Sequence, residues 1–103
     1  MTTVVNKKTH RGDGVYIGRG TPWGNPYKIG VDGDRATVIS RYRTWLWAMI
    51  LNGNISINDL ADLKGQNLIC HCAPRACHGD VLKNAVEWAW KQIEWVQLEL
   101  DLR

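Results

Sequence analysis

The stretch that most constrains the fold is residues 67–80, where a short apolar run gives way to the strongest helical pattern in the chain. Residues 68–70 predict a buried strand, Pro74 prevents that strand from continuing, and a helix opens at residues 77–80. All three cysteines and two of the three histidines lie in this stretch. A helix N-terminus favours anions and lowers the pKa of nearby thiols. We therefore expect any binding or reactive chemistry to lie at this junction.

The length of the chain limits it to one core. Its 103 residues suffice for one domain and leave no room for a second, so we predict a single domain spanning residues 1–103. No apolar run approaches the ~20 residues of a membrane span. Residues 1–5 lack the basic-then-apolar pattern of a signal peptide. We expect an intracellular protein with reduced thiols and no membrane partner.

Positive charge is concentrated in the first half of the chain. Residues 1–52 carry eight Lys or Arg against three Asp, whereas residues 53–103 carry five Lys or Arg against seven Asp or Glu. The basic half could contact a phosphate-bearing partner such as a nucleic acid, with Arg41 and Arg43 partly exposed on a helix. A merely solvated surface is an equal alternative.

Hydrophobic periodicity predicts strands that alternate with helices. We expect strands at residues 3–6, 15–17 and 68–70, and helices at residues 35–52, at about 58–63 and from 79 to about 98, followed by a frayed tail. Asp34 and Asn58 are the expected N-caps. Core faces are expected at helical spacing: Val38, Tyr42, Trp45, Leu46 and Met49 in the first helix, and Val81, Leu82, Ala85, Val86, Ala89, Ile93 and Val96 in the last, with Trp88 and Trp95 beside them.

This order of elements predicts an α/β fold, a small single domain with a short, mainly parallel sheet flanked by helices in a Rossmann-like arrangement. In such sheets ligands bind beyond the carboxyl ends of the strands. We expect Ile17 and Ile69 on neighbouring parallel strands, with Gly20 and Cys77 close in space. The loop at residues 18–26 and the junction at residues 70–80 should then line one cleft.

The junction supplies candidate catalytic groups. Cys77 at the helix N-terminus could be a nucleophile, with His78 or His71 as its base and Asp80 either orienting a histidine or capping the helix. Cys72 and the backbone of Gly79 are candidate ligand contacts. Cys70, inside the apolar strand, is expected to be buried and inert.

A zinc site is the alternative use of the same residues. Its ligands would be Cys70, Cys72, Cys77 and His78. The spacing argues against it, because Cys70 and Cys72 on an extended backbone would be roughly 6.5–7 Å apart, and adjacent Cys77 and His78 rarely reach one ion. We therefore predict no cofactor, with zinc as the exception.

The loop at residues 18–26 supplies candidate binding groups. Three glycines, two prolines and an Asn-Pro step make it a rigid, shaped loop. Arg19, Gly20, Thr21 and Asn25 are the residues expected to bind a phosphate or a base edge. Trp23 offers a stacking face, or alternatively plugs the core.

Two motifs resemble a known family. Residues 15–27, VYIGRGTPWGNPY, and residues 70–82, CHCAPRACHGDVL, are similar to signatures of DUF4326, a family of small proteins of bacteria and their phages without a settled activity. A weaker resemblance connects the chain to DUF488-like proteins, which are α/β. That likeness implies one pocket for Gly18, Cys77 and His78. That group has an arginine at the position where this chain has Gly79. The likeness therefore implies that Arg75 or Arg19 supplies the anion contact of that arginine.

These inferences combine into one functional hypothesis. We expect a phage or bacterial protein, in the cytoplasm of the bacterial host cell, that binds or modifies a nucleotide, a nucleoside or a nucleic-acid end in the predicted cleft. A non-enzymatic module that binds a host protein or nucleic acid is one alternative. A small zinc-stabilised domain is the other.

Overall fold

A computed structural model describes residues 2–73 and 75–102. Pro74, the residue expected to end the central strand, lies outside the described residues. Within the described ranges the chain forms three strands and three helices, in the order β1 (Thr3–Asn6), β2 (Val15–Tyr16), α1 (Arg35–Leu51), α2 (Ile57–Ala61), β3 (Asn67–Cys70) and α3 (His78–Asp101).

The strands form one parallel sheet in the order β1-β3-β2. Val4 is opposite Leu68 on one side of β3, and Tyr16 is opposite Ile69 on the other. The backbone N–H of Ile17 donates to the Ile69 carbonyl at 3.0 Å, which confirms that these residues are parallel neighbours. The predicted small α/β fold with a parallel sheet and helices is therefore confirmed. Because all three strands run the same way, their carboxyl ends meet at one edge.

Helix α1 begins where its cap predicts. The Asp34 carboxylate accepts a hydrogen bond from the Thr37 backbone N–H at 2.9 Å, and the helix ends one residue before the Asn52 cap. Its buried residues are Val38, Tyr42, Leu46 and Ile50. Trp45 and Met49, which were expected in the core face, are only partly buried against it. The buried row follows a strict i, i+4 spacing, so the apolar stripe is narrower than the sequence suggests.

Two helix boundaries differ from the sequence prediction. Helix α2 is capped by Ser56, whose hydroxyl accepts from the Asp59 N–H at 3.0 Å, so the predicted Asn58 cap is wrong. Helix α3 continues to Asp101 instead of fraying after Leu98. No glycine or proline interrupts residues 80–101, and the Gln97 side-chain amide donates to the Asp101 carboxylate one turn away at 3.1 Å.

Helix α3 contacts α1, α2, β1 and β3, and only its first part is buried. Val81, Leu82, Ala85, Val86 and Ala89 are buried, as the periodicity predicts. Farther along, the prediction fails at two residues, because Val96 is 57% exposed and Trp95 68% exposed.

The two tryptophans predicted beside this face also differ in burial, since Trp88 is packed and Trp95 is exposed. The Trp88 ring packs edge-on against Trp47, with the ring centroids 5.0 Å apart, whereas Trp95 has no such cover. None of the helices in the described part of the chain is both long enough and apolar enough to cross a bilayer.

The burial of α3 gives a direct stability prediction. Leu82 is completely buried, whereas Leu100 on the same helix is 55% exposed. We expect Leu82→Ala to lower the free energy of unfolding by about 2–5 kcal/mol, since it removes buried apolar groups and leaves a cavity. The matched change Leu100→Ala should cost less than about 0.5 kcal/mol. Urea denaturation followed by tryptophan fluorescence measures both, and equal losses would contradict the buried packing.

Candidate functional site

A cleft of about 320 Å³ lies at the edge where the carboxyl ends of β2 and β3 meet. Six residues predicted for the site or its zinc alternative line it with Gly18, and they are Arg19, Asn25, Cys70, Cys72, Cys77 and His78. The loop at residues 18–26 and the junction at residues 70–80 therefore line one cleft, as the sequence predicts. Gly20 and Thr21 instead line an adjoining surface depression that shares Arg19 and Asn25 with the cleft, and neither Gly79 nor Asp80 belongs to the lining of the cleft.

The glycines of the first motif have packing roles. A Cβ on Gly18 would lie 2.1 Å from the Tyr16 hydroxyl oxygen, because the Tyr16 side chain folds over that residue. A Cβ on Gly24 would lie 2.6 Å from the Gly18 carbonyl oxygen. The loop therefore needs glycine at residue 24, where a side chain would meet backbone, whereas a side chain at residue 18 would displace the Tyr16 ring.

Two of the predicted binding side chains are engaged inside the loop. The Thr21 hydroxyl donates to the Gly18 carbonyl at 2.7 Å. The Asn25 amide donates to the Val38 carbonyl at 3.1 Å and accepts from the Tyr27 N–H at 2.9 Å. These bonds shape the loop and fasten it to α1. Arg19 is different, since it is exposed and lines the cleft.

Trp23 packs partly buried against the core and is not among the residues that line the cleft. Its carbonyl accepts a hydrogen bond from the Tyr42 hydroxyl at 2.8 Å. Of the two roles predicted for this residue, the structure therefore places it in the core-covering one.

The start of α3 is capped by its own residues. Cys77 is the N-cap, and its sulfur accepts from the Gly79 N–H at 3.3 Å. The Asp80 carboxylate accepts in return from the Cys77 N–H at 3.1 Å. This reciprocal pair is a capping box with a thiol in the place of the usual hydroxyl. Gly79 is buried against Val4 and Ile17. The ligand role of Gly79 and the catalytic role of Asp80 stay predictions, and both residues help to begin the helix.

Burial determines the direction in which the pKa of the Cys77 thiol is shifted. Its side chain is 3% exposed, and its sulfur lies 3.5 Å from that of Cys70. Burial, with the neighbouring Cys70 thiol as the next cause, raises the pKa of Cys77 to about 12. The expected lowering of this pKa by the helix N-terminus is therefore wrong, because loss of solvation outweighs the Gly79 N–H bond. Cys70 is buried as expected. Nucleophilic catalysis by Cys77 stays a prediction and would have to deprotonate a buried thiol.

His78 is mostly enclosed and hydrogen-bonded to the neighbouring strand end. Its Nε2 lies 2.7 Å from the Ile17 carbonyl oxygen, and its ring packs edge-on against Tyr42 at 5.0 Å between centroids. Burial lowers the pKa of His78, and the charge of Arg19 lowers it further, while the Ile17 carbonyl and Asp80 oppose the change. In the neutral ring Nε2 carries the proton for Ile17, so Nδ1 remains a hydrogen-bond acceptor.

Four cleft residues with polar or aromatic side chains escaped the sequence prediction of the site, besides the aliphatic Ile29, Val38 and Ile39. They are Tyr16, Tyr27, Arg35 and, as a ligand contact, His71. The Tyr16 hydroxyl lies 3.1 Å from His71 Nε2, and the two rings meet edge-on at 5.8 Å. Tyr16 ends β2 and His71 follows β3, so strand-end position was the available signal. Arg35 at the start of α1 carried no such signal, although it donates to the Ala76 carbonyl at 3.0 Å.

Asn6 fixes the segment that carries His71. Its side-chain amide donates to the His71 carbonyl at 3.3 Å and to the Ala73 carbonyl at 2.7 Å. The residue that ends β1 therefore holds the turn that leaves β3. Tyr16 and His71, at the ends of β2 and β3, therefore line the cleft, and Asn6 at the end of β1 supports the segment of His71 without lining the cleft itself.

The electrostatics of the cleft favour an anionic, partly apolar ligand. Two arginines line it, and aliphatic side chains from Ile29, Val38 and Ile39 line it beside the two tyrosines. Among the described residues, no group of three or more His, Cys, Asp or Glu side chains converges in a way that could hold a metal ion. The zinc-stabilised alternative therefore finds no support in this part of the chain.

Comparison with known proteins places the chain in a family. The profile of a domain of unknown function, DUF4326, matches residues 4–88. The chain belongs to the DUF4326 family. It is also similar to an uncharacterised 12.4 kDa protein in the nrdA-td intergenic region of Enterobacteria phage T4, with 38% identity over 92 residues that cover 88% of this chain and 82% of the phage protein. No solved structure matches the chain. The predicted membership of DUF4326 is thus confirmed, and every residue that lines the cleft of this chain lies inside the matched range.

The buried thiols of this DUF4326 protein should react slowly. Cys72 is half-buried, whereas Cys70 and Cys77 are buried, and the pKa of Cys77 is raised to about 12. Because the thiolate is the reactive form, we expect iodoacetamide to label Cys72 first in the native protein at neutral pH. Peptide mass spectrometry measures the order, with urea-unfolded protein as the control in which all three react. Fast labelling of Cys77 would restore the thiol mechanism.

The lowered pKa of His78 predicts a loss of stability in mild acid. Its folded-state pKa lies below the ordinary value of 6.5, so the unfolded state binds the proton more readily. The contribution of His78 to the free energy of unfolding should be fully present above pH 6.5. It should be lost as the pH falls towards the folded-state pKa, by at most about 1.4 kcal/mol per pH unit. His78→Gln keeps a donor for Ile17 and should flatten this slope. Denaturant titrations between pH 7 and about 5 measure both proteins, and equal slopes would contradict the assignment.

Proposed function

We propose that the cleft binds a nucleotide-type ligand, a planar base joined through a sugar to a phosphate. The observation that carries this proposal is the combination, in one cleft beyond the strand ends, of Arg19 and Arg35 with the rings of Tyr16 and Tyr27. Parallel α/β sheets bind ligands at this edge. A nucleotide presents an anionic part and an aromatic part, and the cleft offers complementary groups for both.

The size of the cleft suits one nucleotide unit. Its volume of about 320 Å³ is near the lower end of the range for small-molecule sites, roughly 300–1,000 Å³. A dinucleotide cofactor would need a longer cleft. The proposal is therefore limited to a mononucleotide or one nucleotide of a larger molecule.

The arginines would hold the phosphate. A guanidinium has five N–H donors in a planar fork that matches phosphate geometry. Arg35 uses Nη1 to contact the Ala76 carbonyl, which fixes the side chain and leaves other donors for a ligand. Arg19 lies close enough to His78 to influence its pKa, so its charge acts inside the cleft.

The aromatic residues would hold the base. Stacking of a base on an aromatic side chain contributes about 1–3 kcal/mol. The rings of Tyr16 and Tyr27 and the aliphatic side chains of Val38 and Ile39 line the same space. His78 also lines this space, and the Nδ1 of its neutral ring would accept a hydrogen bond from a base edge. These contacts would supply affinity without any chemical step.

Binding is favoured over thiol-dependent modification of the ligand. Arginines and aromatic rings line the cleft, whereas the Cys77 sulfur is buried and burial raises the pKa of Cys77 to about 12. A thiol in that state is a weak nucleophile at neutral pH. The proposed role of the cysteines at the junction is therefore structural.

Titration calorimetry with a 5′-mononucleotide, the matching nucleoside and inorganic phosphate tests the proposal. We expect the mononucleotide to bind more tightly than either part. Arg19→Gln should weaken mononucleotide binding about tenfold or more, since a charge-assisted hydrogen bond is lost, and should leave nucleoside binding unchanged. Arg43→Gln is the control, because Arg43 is exposed and does not line the cleft.

Two results would contradict the proposal. One is the absence of saturable binding for mononucleotides of all the common bases. The other is an equal loss of affinity in Arg19→Gln and Arg43→Gln, because that would indicate a diffuse effect of net charge and no contact in the cleft.

A further inference from the structure

We propose that the natural occupant of the cleft is one nucleotide unit of a single-stranded nucleic acid, whose neighbouring phosphates contact cations outside the cleft. This inference rests on the proposed function, since it takes nucleotide binding in the cleft as given. It adds the class of molecule to which that nucleotide belongs.

The first observation is the pairing of each cleft tyrosine with an outer cation. The Lys7 ammonium lies 5.0 Å from the centroid of the Tyr16 ring, and the Arg41 guanidinium lies 5.6 Å from that of Tyr27. Both tyrosines line the cleft, and neither cation does. Lys7 and Arg41 are exposed and come from different elements, the turn after β1 and helix α1. Cations therefore lie just beyond two separate aromatic walls.

A free mononucleotide gives these outer cations nothing to contact. Its one phosphate would be held inside the cleft by Arg19 and Arg35, and the ligand would end there. In a polynucleotide, the chain enters and leaves the cleft, and each side carries a further phosphate. Lys7 and Arg41 are placed to meet such phosphates at the rim.

The distribution of charge in the first half of the chain supports the same conclusion. Residues 1–52 carry eight cations against three aspartates. The excess over this half of the chain is five positive charges. Exposed cations also include Lys8, Arg11, Lys28 and Arg43. This excess extends well beyond the cleft, as a polyanion requires and a single small ligand does not.

Single strands fit the cleft better than duplexes. A base inside a duplex is stacked and paired, and it would have to leave the helix before it could enter a cleft between aromatic rings. Proteins that bind single strands combine a positively charged surface with aromatic side chains on which unpaired bases stack. Lys7 with Tyr16 and Arg41 with Tyr27 give that combination twice at one cleft.

Titration calorimetry over a range of salt concentrations tests this inference. The probes are a 5′-phosphorylated oligothymidylate of eight nucleotides, thymidine 5′-monophosphate, and a duplex of the same length. We expect the oligonucleotide to bind at least tenfold more tightly than the mononucleotide and the duplex. The logarithm of its affinity should fall with the logarithm of salt by about 0.7 for each phosphate contacted.

The decisive variant changes both outer cations. Lys7→Gln with Arg41→Gln should lower oligonucleotide affinity about tenfold and reduce the salt slope by about 1.4, because two phosphate contacts are lost. It should leave mononucleotide affinity unchanged. Lys83→Gln with Lys91→Gln on α3 removes the same charge away from the cleft, and that protein should bind the oligonucleotide as the unaltered protein does.

The failures of the two proposals are distinguishable. If the mononucleotide binds as tightly as the oligonucleotide, or the Lys7 and Arg41 variant keeps the full salt slope, the single-strand inference is wrong and the proposed function stands. Equal losses from the Lys83 and Lys91 control, or equal affinity for the duplex, would also overturn the inference. If neither mononucleotide nor oligonucleotide binds, the proposed function itself is wrong.

Discussion

The hydrogen-bonded ladder on both sides of β3 is the constraint on which the rest of the structure depends. β1 and β2 pair with β3 and not with each other, so the central strand alone fixes the relative positions of Asn6, Tyr16 and His71. The two-residue strand β2 has little pairing of its own and is held by this register. The cleft exists because one ladder brings three strand ends to a single edge, where side chains from distant parts of the sequence can meet.

Local patterns predicted most of the fold and several of the residues that line the cleft. The strand at residues 3–6, the Asp34 cap and the buried face up to Ala89 follow from periodicity and capping, which depend on near neighbours. The failures have two causes, one in the sequence itself and one in tertiary contacts. The length of α3 beyond Leu98 depends on the absence of a stop signal, and the Tyr16–His71 contact joins residues 55 positions apart, which no local pattern contains.

The junction motif illustrates why chemistry is hard to predict from residue types. Thiol, imidazole and carboxylate in succession suggest an active site, yet each finds a structural partner here. Cys77 and Asp80 cap the helix, and His78 joins it to the Ile17 carbonyl of the neighbouring strand end. The helix N-terminus lowers the pKa of the Cys77 thiol and burial raises it. Burial has the larger effect, because the core that positions the thiol also excludes water from it. The side chains that remain to contact a ligand are the arginines and tyrosines that line the cleft.

The central place of β3 also governs how the protein can fold while it is being synthesised. Because β1 and β2 emerge from the ribosome before β3 does, neither has a partner in the sheet until residues 67–70 are available. Both remain open edges during that time, and such edges are able to pair with other chains. Folding of the sheet therefore waits for the second half of the chain, and α3 must follow to cover it. The cleft is consequently among the last features to form, and any shortened chain that ends before residue 67 has neither a sheet nor a site.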